Sequence, residues 1–324
     1  NPKKGILGFS VEDKKVSKEE ITYWQPPHEK PCYRIETVGG RYLECSDDHP
    51  ILTRDRYKSG DYKKTNTFIE AKNLKKGDSI LVAEEIKMFG RKEMWNPRLV
   101  GLLIGDGSYG KDKTPVLSNC DKDVNNYIYN NFDAIEERSY TTKDGREYKE
   151  TRIRNICQKL RELGIYGQTK NKKTLPLNIH SYTKKDICEL LGGFYDADGH
   201  VVNDGKNRTI NLSSSSKELM FEVKLLLQKL GIHGQIYTKK PSSTGIKGIN
   251  NYYLLTIADK RSLLIFIESI TFLIKYKQVK LEAMYEELKN HTSEITKDLK
   301  GLRAERIKSV VYIGKKPVLN DIYL

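Results

Sequence analysis

Two stretches of this chain end in the same way: LVGLLIGDG at 99–107 and LGGFYDADG at 191–199. Superposed, they place Gly101 on Gly193, Gly105 on Ala197, Asp106 on Asp198 and Gly107 on Gly199. Small residues four apart on an apolar helix let two helix backbones approach closely, and two such helices side by side bring their C-terminal ends together. Asp106 and Asp198 would then be neighbours. Each carboxylate would sit at the negative end of its helix dipole and beside its twin, and both effects oppose ionisation. A divalent cation such as Mg2+ or Mn2+ would compensate, since it takes carboxylate, carbonyl and water oxygens. In phosphodiester hydrolysis such a metal activates water and steadies the leaving oxygen. A single Asp-Gly is ordinarily a turn or a helix cap; two in one frame behind glycine-spaced apolar helices point to a paired acidic site. Asp196 has no acidic counterpart in the first copy, where Ile104 stands, and is secondary on this reading.

The elements that must position these acids repeat as well. Each segment reads as a helix with its own start signal: Asn96-Pro97 as N-cap and first-turn proline, and Thr183-x-x-Asp186 in the manner of a capping box. After Gly107 come a strand-like stretch, the helix DKDVNNYIYNNFDAI, polar strand candidates over EERSYTTKDGREYKETRI, and a helix stopped by Gly164. After Gly199 come a hairpin turning at Asp204-Gly205 and a helix starting at Ser215, with Glu218 three residues on. That helix carries Leu219, Val223, Leu226, Leu227 and Leu230 at helical spacing. Strands in HGQIYTKK and NYYLLTIA and the helix RSLLIFIESITFLI follow. The order helix, strands, helix, strands, helix therefore occurs twice.

Outside the repeat the texture is β-rich. Residues 32–55 alternate apolar and polar around the Gly39-Gly40 turn, FIEAKNLKKGDSILVA adds a turn and a strand, and ERIKSVVYIGKKPVLNDIYL is again strand-like. The flanks are expected to pair with each other around an inserted repeat, with MFGRKEMWNPR and the helix KLEAMYEELKNH as connections.

The two acidic segments resemble the paired LAGLIDADG motifs of homing endonucleases in their single-chain form. The resemblance covers roughly residues 95–290 and implies two pseudo-symmetric αββαββα halves whose four-stranded antiparallel sheets form a saddle over DNA. It implies that Asp106 and Asp198 bind the metal at the cleavage centre. The Lys173 to Pro176 element and FLIKYK resemble sites of auxiliary catalytic lysines in the intein-borne subgroup, carried here by Lys173 and Lys275. A lysine near a metal-activated water could tune the nucleophile or steady phosphate charge.

The flanks resemble the Hint, or protein-splicing, domain of inteins. GGRYLECSDDHPIL carries Ser46 three residues before His49, and KPVLNDIYL places Asp321 where that domain's C-terminal block has its aspartate. Together these imply an α+β chain: 1–92 and 300–324 as the all-β Hint-like domain, 93–182 as the first half, and 183–299 as the second half with its connecting helix. Inteins begin with Cys or Ser and end in His-Asn, whereas this chain runs from Asn1 to Leu324. Splicing by this chain alone is therefore not expected. His49 is expected to be idle, with its β domain a scaffold or a further DNA contact near DRYKSGDYKK.

Charge and composition agree with an anionic partner. Lys and Arg number 57 against 43 Asp and Glu, a formal charge of +14 over 324 residues. Double-stranded DNA is the expected partner, read by polar side chains on strands within 107–118, 136–152, 200–212 and 233–258. Lys143, Arg146, Lys149, Arg152, Arg208, Lys239 and Lys240 are the candidate contacts. The five cysteines include no C-x-x-C pair, so no disulfide framework or structural zinc site is suggested. No apolar run spans a bilayer and the first residues lack a signal peptide's apolar core, so an intracellular monomer without a membrane partner is expected. The leading function is a site-specific double-strand DNA endonuclease; the rivals are a self-processing splicing element carrying a passenger nuclease, and a DNA-binding or RNA-maturase descendant without cleavage.

Overall fold

The computed structural model describes residues 6–10, 15–19, 27–54, 66–111, 113–142, 145, 147–169, 172–240, 251–289 and 301–318. The chain divides into two compact units, one formed by Asn1–Lys87 with Glu294–Leu324 and the other by Met88–Ser293.

In the first unit, a hairpin joins β1 (Ile6–Ser10) to β2 (Lys15–Glu19). A six-stranded sheet takes β3 (His28–Thr37), β4 (Tyr42–Ser46), β5 (Pro50–Arg54), β6 (Asn66–Glu70), β7 (Ser79–Ala83) and β16 (Leu302–Val318), in the order β4-β3-β16-β7-β5-β6. The flanks thus pair as expected. β16 runs antiparallel to β7 over Leu302 to Arg306 and to β3 over Ile307 to Val318. One side of the sheet buries Ile35, Ile51, Ala71, Leu74, Ile80 and Ile307. Glu305 on β16 accepts from Arg41 Nε and Thr37 Oγ1, both at 2.8 Å, which ties the β3–β4 turn to the returning strand.

The second unit carries the repeat. Its first half runs α1 (Pro97–Asp106), β8 (Gly107–Ser108), β9 (Val116–Asn119), α2 (Lys122–Asn131), β10 (Ala134–Thr141), β11 (Glu147–Ile153) and α3 (Cys157–Glu162). The second runs α4 (Lys184–Asp198), β12 (Gly199–Asn203), β13 (Arg208–Ser214), α5 (Lys217–Lys229), β14 (Gln235–Lys239), β15 (Tyr252–Ile257) and α6 (Lys260–Ser269), followed by α7 (Lys275–Lys289). The order is αββαββα in both. Each half has one antiparallel sheet, β10-β11-β9-β8 and β14-β15-β13-β12, so the third, fourth, second and first strands lie side by side in both.

One apolar core runs through both halves, from Leu99 and Leu102 through Leu190 and Phe194 to Leu255 and Phe266. Each fully buried Leu, Ile or Phe contributes roughly 1.5–3 kcal/mol. Helix α1 is buried at every residue from Arg98 to Ile104, as expected of a helix surrounded by protein. The start signals hold in part. Thr183 caps α4 by accepting from the Asp186 amide, and α5 is capped by Ser216, one residue later than expected. Asn96 makes no side-chain cap; it adopts φ 39° so that the chain can turn into Pro97.

The glycine pairing of α1 with α4 is close backbone contact. A Cβ at Gly101 would lie 2.0 Å from the Leu190 carbonyl oxygen, and one at Gly193 would lie 2.2 Å from that of Arg98. At Gly105 a Cβ would lie 2.3 Å from the Ala197 Cβ. Backbone cannot yield as a flexible side chain can. Gly101→Ala should therefore cost on the order of 3 kcal/mol, the top of the usual overpacking range. Gly110→Ala, where the nearest atom to a new Cβ is Lys113 Cδ at 3.9 Å, should stay within about 0.5 kcal/mol. Denaturant unfolding of both variants checks the contrast; equal losses would mean that α1 and α4 do not touch at Gly101.

Candidate active site

The chain leaves each motif helix at a glycine and enters a strand at once. Gly107 ends α1 at φ −81°, ψ 147°, and Gly199 ends α4 at φ −89°, ψ 153°. Neither φ demands glycine, but the space does. A Cβ would lie 2.4 Å from the Leu103 carbonyl oxygen at Gly107 and 2.3 Å from that of Tyr195 at Gly199. The residue before each glycine is an aspartate, and the close packing at Gly105 and Ala197 brings the two together. A Cβ at Gly105 would stand 3.3 Å from Asp198 Oδ2, next in sequence to Asp106.

A helix ends with carbonyls that have no partner inside the helix. Here two buried lysines serve them. Lys173 Nζ donates to the carbonyls of Leu103, Ile104, Gly105 and Gly107 at 3.1, 2.8, 3.0 and 2.7 Å. Lys277 Nζ donates to those of Tyr195, Asp196 and Gly199 at 3.0, 2.6 and 2.7 Å. In the frame that superposes the motifs, Tyr195, Asp196 and Gly199 fall on Leu103, Ile104 and Gly107. The two lysines therefore occupy one pseudo-symmetric position. They also place positive charge at the negative poles of both helices, where it is favoured.

This corrects the pairing of Lys173 with Lys275. Lys275 is largely exposed and lies 3.9 Å from Asp123 Oδ1, and its backbone amide bonds that same carboxylate. FLIKYK holds lysines two apart, which point to opposite sides of a helix, and α7 begins where Lys277 rather than Lys275 turns inward. It also alters the electrostatic expectation. Much of the cation that two acids at helix C-termini call for is supplied by the protein itself.

Burial holds the Asp106 carboxyl above its usual range, outweighing the Asn119 hydrogen bond and the charges of Lys173 and Lys277. Asn119 Nδ2 donates to Asp106 Oδ2 at 2.5 Å, while Asn119 Oδ1 accepts from the Asp121 amide at 2.7 Å. Burial likewise lowers the Lys277 ammonium, opposed by Asp196, Asp106 and Asp198. A cleft of about 420 Å3 opens here, bordered by Asp106, Asn119, Asp121, Tyr148, Gly199 and Lys277.

Among the described residues no cluster of three or more His, Cys, Asp or Glu forms a closed metal cage. Mg2+ is commonly held by one or two carboxylates, with water and substrate oxygens completing the shell. The Asp106 carboxylate at the border of the cleft and the Asp198 carboxylate on the abutting helix end are oxygen donors of that class.

The other candidates separate. Asp196 is 1% exposed and its carboxylate accepts from the Leu273 and Ile274 amides and from Arg98 Nη1. It is a buried anchor. Three of the basic candidates are already paired: Lys149 with Glu136 at 2.9 Å, Arg152 with Glu137, and Arg208 with Glu287 at 2.8 Å. Lys239 and Lys240 are exposed at the end of β14; Lys143 and Arg146 lie outside the described residues. In the other unit, Ser46 and His49 flank a turn in which the His49 amide donates to the Ser46 carbonyl at 3.2 Å. The Asp48 carboxyl between them is held down to about 2, by Lys30 first and then by the Ser46 hydroxyl. Asp321 and the DRYKSGDYKK loop lie outside the described residues.

Lys277, Arg98, Asn119 and Gly192 escaped sequence reasoning. A signal existed only for Lys277, the second lysine of FLIKYK.

The LAGLIDADG-like domain family model matches residues 185–271. Replication factor C small subunit of Methanocaldococcus jannaschii is 24% identical over 319 residues, 92% of this chain and 16% of that protein. The probable translation initiation factor of the same organism is 31% identical over 210 residues, 63% of this chain and 17% of that protein. The chain thus spans about a sixth of the length of these curated relatives. Among solved structures, variants of the homing endonuclease I-DmoI align with a TM-score of 0.36 at 16% identity, over 54% of this chain and 93% of theirs. Full-length WhiA from Thermatoga maritima aligns with a TM-score of 0.40 at 15% identity, over 62% of this chain and 61% of its own. No helix among the described residues is long and apolar enough to cross a membrane.

Two measurements check the site. Lys277→Met leaves buried carbonyls without donors and should cost about 1–3 kcal/mol, whereas Lys275→Met should stay within about 0.5 kcal/mol in the same denaturant titration. Equal effects would restore Lys275 as the inward lysine. Because burial raises the Asp106 carboxyl, the folded state holds that proton more tightly than the unfolded chain. Its contribution is present below the usual value of 3.8 and is lost as pH rises through the raised folded value. Asp106→Asn should therefore raise the thermal midpoint at neutral pH without divalent cation and flatten its decline with pH. A lowered midpoint at neutral pH would contradict the burial argument.

Proposed function

We propose that this chain is a metal-dependent DNA endonuclease that hydrolyses one phosphodiester in each strand of a long asymmetric target. The observation that carries the reading is the frame-matched pair Asp106 and Asp198 on abutting helix ends, each backed by a buried lysine on the last carbonyls. Asp106 and Asp198 would hold Mg2+ or Mn2+, which when bound supplies an activated water and charge to steady the leaving oxygen. The chain's own residues do the rest. Asn119 orients the Asp106 carboxylate so that its acceptor oxygens face the cleft. Lys173 and Lys277 fix the helix ends and set positive charge close to where a phosphate would lie. The exposed strands of the two sheets would carry the duplex. Lys239 and Lys240 are ready for phosphate contact, whereas Lys149, Arg152 and Arg208 must exchange a glutamate for a phosphate. Both acids belong to one chain, so a monomer suffices, and two unlike halves suit an asymmetric site.

We infer further that the chain derives from an intein. A replication factor and a translation initiation factor match this chain over only about a sixth of their own length, as one mobile insert in different hosts would. The sheet closed by β16 from the far end of the chain and the Ser46–His49 turn support a Hint-like reading of 1–92 and 300–324. Residues 93–182 would then be the first nuclease half and 183–299 the second half with its connecting helix. The compartment would be intracellular, wherever the host gene's DNA lies. The turn also favours a second reading, a self-processing splicing element with the nuclease as passenger.

The test uses a plasmid carrying the uninterrupted host gene, with and without Mg2+. Asp106→Asn or Asp198→Asn should abolish double-strand cleavage and leave target binding within a few-fold, because these acids hold metal and read no bases. Full cleavage by either variant would overturn the assignment. Affinity should decline linearly on a log–log plot against salt, by roughly 10³–10⁵ between about 50 and 200 mM for a footprint of six to ten phosphates. Salt-independent association would point to a protein partner. Reporter proteins fused to both ends, followed by gel, separate the second reading: products lost on His49→Ala would support splicing.

A further inference from the structure

The two lysines are held by different means. Ahead of Lys277, three residues are clamped by two buried charges from different helices. Arg98, on α1, donates Nη1 to the Thr271 carbonyl at 2.6 Å and Nη2 to Thr271 Oγ1 at 3.2 Å, while its Nε reaches Glu189 Oε2 at 2.8 Å. Its side chain is 8% exposed. Asp196, on α4, accepts from the amides of Leu273 and Ile274 at 3.0 to 3.2 Å and from Arg98 Nη1 at 3.3 Å. Ile274 passes the constraint on, because its carbonyl accepts from the Lys277 and Gln278 amides at 3.0 Å each. Lys277 Nζ then closes the circuit on the Asp196 carbonyl at 2.6 Å. Gly192 makes room for this arrangement, since a Cβ there would lie 2.3 Å from Arg98 Nη1 and 2.6 Å from the Thr271 carbonyl oxygen.

Around Lys173 the arrangement is different. The position matching Asp196 is Ile104, which is buried and apolar. The Lys173 segment is held by the Leu175 amide on Glu222 Oε2 at 3.3 Å and by the Leu177 amide on the Leu163 carbonyl at 2.8 Å.

We propose that Arg98 and Asp196 form a positioning pair dedicated to Lys277, so that one of the two pseudo-symmetric lysines is seated by a buried ion pair, while the segment of the other is held by unrelated partners, the Glu222 and Gln168 side chains among them. A buried ion pair is a poor source of stability compared with an apolar pair of the same volume. Its contacts on the residues just ahead of α7, with an apolar residue at the matching site, tie it to that lysine. Within the endonuclease reading, on which this extension rests, the pair serves one of two strand-cutting positions.

The first test needs no cleavage activity. Acetylation of the full native chain with an N-hydroxysuccinimide ester, mapped by mass spectrometry, reports how often each amine is free of its carbonyls. Lys173 and Lys277 should be protected and the exposed Lys275 should label rapidly. In Asp196→Asn and in Arg98→Lys, which keeps the charge but loses the planar fork, Lys277 should label at least about tenfold faster while Lys173 is unchanged. Circular dichroism confirms that each variant is folded; should Asp196→Asn not fold, Arg98→Lys and the milder Thr271→Val, expected to speed Lys277 labelling by a smaller factor, decide. Persistent protection of Lys277, or equal opening of Lys173, would overturn the pairing. On supercoiled target plasmid Asp196→Asn should accumulate nicked circles, whereas general loosening would slow both cuts alike. Absence of cleavage by the unsubstituted chain would count against the endonuclease reading and leave the labelling result to stand by itself.

Discussion

Much of the second unit follows from how closely α1 and α4 approach. Each helix faces the other with residues that lack bulk, and the contacts are backbone to backbone at Leu190 over Gly101 and Arg98 over Gly193. That proximity determines the level at which both helices end. Because each chain leaves its helix at a glycine and passes directly into a strand, the two sheets start from adjacent points and inherit the same strand order. The acidic residues before the two glycines are thereby delivered to abutting helix ends, Asp106 at the border of a cleft.

Bringing two helix C-termini together concentrates negative charge and unpaired carbonyls in one place. The protein meets this with long side chains from segments remote in sequence. Lys173 crosses to α1 and Lys277 crosses to α4, and each satisfies several acceptors with one ammonium group. The solution is nearly the same on both sides, as the matched acceptor positions show. The departure is Asp196, where the second motif carries an additional acid that the first lacks. Asp196 borders the cleft, but its carboxylate is already engaged by Arg98 and by the amides that lead into α7, so it acts as an anchor. The DADG spelling thus sets two acids two positions apart, of which Asp196 anchors the segment that leads into α7.

The flanking unit illustrates closure by a distant strand. β16 lies between β3 and β7, so residues more than two hundred positions apart in sequence share one sheet, and Glu305 reaches back to the β3–β4 turn. Alternation in the sequence was enough to expect strands and their mutual pairing. It was not enough to show that a single strand serves two partners in succession, with the change of partner between Arg306 and Ile307.

What the sequence determined by itself was whatever depends on local periodicity and on a repeated frame. The αββαββα order, the Thr183 cap, the Asp204-Gly205 hairpin and the in-frame match of Asp106 with Asp198 all have signatures within a few residues, because helix and strand periods and glycine tolerance act locally. Tertiary structure alone decided the questions whose answers lie in which side of an element faces inward. Lys275 and Lys277 differ by two positions, and only the start of α7, set by Asp196 and Arg98, turns one to the core and the other to solvent. The basic strand residues look free in sequence, yet Lys149, Arg152 and Arg208 each meet a glutamate that chain folding brings alongside. Gly192 and Gly193 are adjacent and alike in sequence. One admits a guanidinium and the other a helix backbone, a distinction that exists only once α1 lies against α4.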